Sequence, residues 1–174
     1  MLLSKKMNKG LTLTELMITV VIFVILTAVV AYILRAVLLN WSSQETRTGI
    51  DISLDRGIEE ITRDLREARA AQSSGDEIRF TQNLSAYDIY YLYNSSDSYP
   101  PAFNQTTYQL RKAAVTGGMS GTFTYGSGQI IINDVLAPPT SDLSLSSNLI
   151  TLDLSVKRGD ETIRSRTQVR PRNL

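Results

Sequence analysis

The hydrophobic and polar positions divide the chain into three regimes. Nineteen consecutive uncharged residues, 16–34, are dominated by Val, Ile and Leu, with Thr19 and Thr27 as the only polar interruptions. As an α-helix this run measures roughly 28 Å, close to the ~30 Å hydrocarbon thickness of a bilayer. Its β-branched bias weakens a helix in water. In lipid, however, the backbone must satisfy its own hydrogen bonds, and a helix does so. The first regime therefore predicts a membrane-spanning helix over residues 11–35.

After Trp41 the chain turns polar while keeping a helical period. Ile50, Leu54, Ile58, Ile61, Leu65 and Ala68 recur at steps of three and four, which places them on one face. Asp51, Asp55, Arg56, Glu59, Glu60, Arg63, Asp64, Arg66, Glu67 and Arg69 occupy the remaining positions and are expected to be solvated. Gly49 and Gly57 each cost up to about 1 kcal/mol relative to alanine, so they mark bends or close packing. The pattern predicts an amphipathic helix half over 36–74, running to Gln72 and stopped by Ser73, Ser74, Gly75 and Asp76.

Beyond Gly75 the period becomes two. Ile78 and Phe80 open a strand; Tyr87, Ile89, Tyr91 and Tyr93 share one face of a second, with Tyr90 on the other; Tyr108 and Leu110 mark a third. The stretch "GTFTYGSGQIIINDV" predicts a hairpin turning at Gly126, Ser127 and Gly128. Ile150, Leu152, Leu154 and Val156 alternate with polar residues, and a turn at Arg158, Gly159, Asp160 and Glu161 returns the chain through Thr162 to Arg170. Residues 75–174 are thus a β-rich globular domain whose antiparallel sheet is covered by the apolar face of the preceding helix, an α+β arrangement. Two loops rich in Ser, Asn and Pro, 94–104 and 137–148, interrupt the sheet.

Composition narrows the chemistry. The chain has no cysteine and no histidine, which removes thiol nucleophiles, disulfides, imidazole bases and most zinc sites. Its formal net charge is +1; without Lys5, Lys6 and Lys9 the 18 basic residues become 15 against 17 acidic ones, so nothing requires nucleic acid as a partner. Those three lysines precede the apolar run and no acid does before Glu15, which places the amino terminus in the cytoplasm. A secretory signal would have a shorter apolar region followed by small residues; here the run continues through Ala36, Val37, Leu38 and Leu39 without such a break.

Glu15 stands beside this run, where a carboxylate persists most easily with a cation to neutralise it. Cutting after Gly10 would create an α-amino group on Leu11, four residues away. In a bundle of staggered helices, the carboxylate of one chain would meet the amine of the next. The stretch Lys9, Gly10, Leu11, Thr12, Leu13, Thr14, Glu15 and the apolar helix after it resembles the processing site of type IV prepilins and type II secretion pseudopilins. The resemblance implies a cytoplasmic leader over 1–10, cleavage after Gly10 by a prepilin peptidase, methylation of Leu11, and an assembly role for Glu15. It also implies a pilin-like fold. Leu11 stands where phenylalanine is more usual, a conservative change that leaves cutting possible. The apolar helix lacks the proline common in major pilins, and this departure points to a minor subunit. Arg63, Asp64, Leu65, Arg66, Glu67 and Ala68 are similar to what J-type pseudopilins and W-type minor pilins carry.

Other constellations have simpler explanations. Strand alternation accounts for the tyrosines. Arg164, Arg166 and Arg170 line one face of the last strand, as a solvated row, a guard on an edge, or a partner for acids on a neighbouring subunit. Arg158, Gly159 and Asp160 match an adhesion tripeptide but fit a turn. Asp97, Asp134, Asp142 and Asp153 lack calcium-loop spacing, so no metal is expected. No catalytic constellation or cofactor site is found, and an enzyme is not expected.

The expected role is a minor pilin or pseudopilin that helps begin assembly in or at the tip of a type IV pilus or type II secretion pseudopilus. Its partners would be the prepilin peptidase, other minor pilins, the major subunit, the inner-membrane assembly platform and membrane lipid, with no nucleic acid. It would cross the bacterial inner membrane once, with a periplasmic carboxy-terminal domain, before entering the filament. The rival is a single-pass anchored periplasmic binding or enzyme domain that never joins a filament.

Overall fold

The computed structural model describes residues 12–172, so Gly10 and Leu11 lie outside the described residues. The chain forms two compact units, Met1–Gln44 and Glu45–Leu174. One helix, α1 (Leu13–Arg66), contributes its first part to the former and its last part to the latter.

In the first unit the apolar side chains of α1 are exposed throughout; Phe23, for example, is 68 % exposed and Trp41 69 %. By length and composition the helix suffices to cross a membrane. Thr19 and Thr27 donate their hydroxyls to the carbonyls of Glu15 and Phe23, both at 2.8 Å, so neither leaves a polar group unsatisfied in an apolar setting.

The second unit is an antiparallel sheet packed by the end of α1. Its strands are β1 (Ala70–Ser73), β2 (Glu77–Thr81), β3 (Tyr87–Tyr93), β4 (Thr107–Val115), β5 (Gln129–Leu136), β6 (Asp142–Ser146), β7 (Leu149–Arg158) and β8 (Glu161–Val169). The first five follow one another in order, and β7 then pairs with β5 at Val135 and Val156. β8 pairs with β7 along almost its whole length, so β5 and β6 share β7's other edge. The sheet curls until β6 approaches β1, where the Ser73 hydroxyl donates to the Leu143 carbonyl at 3.4 Å.

The five apolar helix positions Ile50, Leu54, Ile58, Ile61 and Leu65, and Ala68 just beyond the helix end, are all buried, against Phe80, Tyr90, Leu110, Ile132, Leu152 and Leu154 among others. A 3.6-residue period on the helix thus meets a two-residue period on the strands, as the sequence requires. Gly57 sits where a Cβ would collide with Ile132, so its lack of a side chain serves close packing.

Three boundaries differ from the sequence reading. The helix ends at Arg66 rather than Gln72, because Ala70–Ser73 pairs with β2, and the backbone N–H of Arg69 bonds the Thr81 carbonyl at 2.8 Å. The predicted hairpin at Gly126, Ser127 and Gly128 is not formed: β5 pairs with β4, and residues 116–128 make a long loop with a single bridge between Thr116 and Thr122. The stretch 137–148 is not all loop, since β6 lies within it. The turn at Arg158, Gly159, Asp160 and Glu161 forms as expected, with Gly159 at a φ of 63°.

Candidate functional site

Thr12 and Glu15 interlock at the start of α1. The Thr12 backbone N–H donates to Glu15 Oε2 at 2.9 Å, the Thr12 hydroxyl donates to the same oxygen at 2.9 Å, and the Glu15 N–H donates back to Thr12 Oγ1 at 3.3 Å. This is a capping box: N-cap and third helical residue satisfy each other's orphan donors. A negative side chain also suits the partial positive charge of a helix amino terminus. Among the described residues only Oε2 accepts a hydrogen bond, and Oε1 has none. The Thr-x-x-Glu spacing ahead of an apolar run carries this signal in the sequence.

A second polar cluster lies inside the globular unit. Asp64, expected on a solvated face, is only 7 % exposed. Its Oδ2 accepts from the Tyr90 hydroxyl at 2.8 Å and from Lys112 Nζ at 2.6 Å. Lys112 also approaches Asp88 at 3.9 Å and lies over the Phe80 and Tyr90 rings, which stack on each other with centroids 5.2 Å apart. Burial, then the hydrogen bond to Asp64, pushes the Tyr90 hydroxyl far above its ordinary range, so it stays a donor. The cluster ties α1 to β3 and β4. No sequence signal separates Asp64 from its charged neighbours, because helical spacing puts it at the edge of the apolar stripe.

The other expected positions have structural partners. Tyr91 and Tyr93 form no open platform: Phe123 and Tyr125 from the 116–128 loop cover them at centroid distances of 4.7 and 4.9 Å, and Arg111 lies over Tyr93 at 4.4 Å. Arg164 makes a two-pronged contact with Asp153, both bonds at 2.7 Å, and Arg166 reaches the same carboxylate at 3.9 Å. Asp97 receives the N–H groups of Ser98, Ala102 and Phe103 and the Tyr108 hydroxyl, which fastens the 94–104 loop. Asp134 pairs with Arg158 at 3.1 Å. Among the described residues no group of three or more acids is placed to hold a metal ion.

Residues 5–31 match the family model described as the prokaryotic N-terminal methylation motif. That span includes Gly10, Leu11 and Glu15, and it gives the chain the type IV prepilin-like signal. Together with one long amino-terminal helix packed on a curled antiparallel sheet, it supports a type IV pilin-like precursor with an α+β, pilin-like fold. No curated protein and no solved structure matches the chain.

Proposed function

We propose that this chain is a minor pilin or pseudopilin, cut after Gly10 by a prepilin peptidase and methylated on Leu11. It is then drawn from the inner membrane into, or to the tip of, a type IV pilus or type II secretion pseudopilus. The observation that carries this reading is the carboxylate of Glu15 at the head of an exposed apolar helix: Oε2 caps the chain's own first turn, and among the described residues Oε1 has no hydrogen-bond partner.

The physical steps follow from that geometry. Cleavage turns the residue before the cap, Leu11, into a cationic terminus. When apolar helices leave lipid for a bundle of their own kind, Oε1 of one chain accepts from the terminal amine of its neighbour, and the charge that disfavours deep insertion is neutralised. The capping box holds the carboxylate in one orientation beforehand, so little side-chain freedom is lost on pairing. The buried tie between Asp64, Tyr90 and Lys112 keeps the globular unit fixed to its end of the helix. The other subunits, the assembly platform and lipid are the partners this reading requires.

Coexpression with a prepilin peptidase tests the processing step. The expected result is a product lacking residues 1–10 and carrying a methylated Leu11, with cleavage abolished by Gly10→Ala. A chain that keeps Met1 in the presence of active peptidase would refute it.

A further inference from the structure

We infer that the outer edge of β8 is a strand-addition site for a different protein chain, one presenting an extended segment in which apolar and acidic residues alternate. β8 is nine residues long and among the described residues pairs with β7 alone, whereas β1, at the opposite end of the strand order, is approached by β6. From Thr162 onward this edge offers a row of backbone donors and acceptors that another strand satisfies.

The two faces of β8 specify what that strand carries. On one face, Ile163 packs against the core and Ser165 and Thr167 are half-buried, so a strand added alongside extends the core with apolar side chains. On the other, Arg164 and Arg166 are 62 % and 64 % exposed and share a single carboxylate, Asp153. With Lys157 on the same face and Asp142 beside Asp153 on β6, three cations face two acids, which leaves positive charge that alternate acidic residues on an incoming strand complete. A second copy of β8 is disfavoured in the fully overlapping register, because antiparallel pairing about Ser165 sets Arg164 opposite Arg166, a repulsive cross-strand pair. The same charges that prevent self-pairing select an acidic partner. This inference is independent of cleavage and of the role of Glu15.

The test uses the full chain in detergent micelles and amide hydrogen exchange. The probe is a synthetic peptide alternating valine and glutamate. Alternate amides within residues 161–169 are expected to exchange at least about tenfold more slowly in its presence. A peptide with lysine in place of glutamate, and a single-stranded oligothymidine, should give no such protection. Arg166→Glu should weaken glutamate-peptide binding about fivefold. Arg166→Gln, which adds no repulsion toward Asp153, should give a smaller loss and guards against misfolding of the first variant. Unchanged exchange in β8, equal protection by the lysine peptide, or binding of the oligonucleotide in place of the peptide would each overturn the proposal.

Discussion

Lys112 Nζ lies 2.6 Å from Asp64 Oδ2, joining the last turns of α1 to the middle of the sheet. Asp64 is almost fully buried while the Lys112 side chain is a quarter exposed. Removing the lysine strands a desolvated carboxylate with the Tyr90 hydroxyl as its remaining close donor. Lys112→Met should therefore cost about 2 kcal/mol of stability, and Asp64→Asn less, because the amide needs no counter-charge. Denaturant unfolding of the full chain in detergent, followed by β-sheet signal, measures both; a double-mutant cycle should show strong coupling.

The close approach of Gly57 to Ile132 gives a second expectation. A methyl group at Gly57 would lie 2.6 Å from Ile132 Cδ1, and closer still to Cγ1. Gly57→Ala should thus destabilise by about 1–3 kcal/mol despite alanine's better helix propensity. Adding Ile132→Val should recover part of that loss, so the two changes are not additive in thermal melts.

Much of the fold is legible in the sequence because it rests on period. The spacing of Ile50, Leu54, Ile58, Ile61 and Leu65 names the helix face that is buried, and the alternation from Ile150 to Val156 names the core side of β7. What is not legible depends on distant partners. Ala70, Ala71, Gln72 and Ser73 favour helix locally, yet they pair with β2. Phe123 and Tyr125 alternate like a strand but serve as a cover for Tyr91 and Tyr93. The burial of Asp64 requires Lys112, 48 residues later in the chain, to be in place. At the amino terminus, the Thr-x-x-Glu cap is written in four adjacent residues and could be read directly; Gly10 and Leu11 lie outside the described residues.

Acid stability should reflect two opposing sets of carboxylates. The hydrogen bonds from Arg164 hold Asp153 below the usual carboxylate range. At Asp97, burial works upward, but the N–H groups of Ala102, Ser98 and Phe103 and the Tyr108 hydroxyl outweigh it and the net shift is down. A depressed folded value stabilises the fold above the unfolded pKa, and this contribution disappears as pH falls through the folded value, below 3.8. Asp76 has the opposite sign: burial and then the charge of Asp142 raise it, so it opposes folding at neutral pH and protonation relieves the cost. Asp153→Asn should lower the unfolding midpoint at pH 7 and flatten the acid limb between pH 4 and 2, taking these as approximate bounds around ordinary carboxylate values. Asp76→Asn should raise the midpoint slightly. Melts across that range check both.

The capping box predicts a local effect separable from assembly. Thr12→Ala removes the hydroxyl while keeping the backbone N–H, so amides in the first turn of α1 should exchange about fivefold faster. Thr12→Ser should restore the cap. Helix content further along α1 should be unchanged in both, as measured by hydrogen exchange in micelles.

The central claim is that the Glu15 carboxylate is matched by a cation on a neighbouring chain during assembly. Glu15→Leu, expressed with the peptidase and the partner subunits, measures it most directly, by comparing membrane and sheared-filament fractions. The expected result is a variant that inserts in the membrane and is cut after Gly10, but is lost from the filament fraction by at least about tenfold, the equivalent of some 1.4 kcal/mol. Recovery of Glu15→Leu in filaments at the level of the unaltered chain would contradict it.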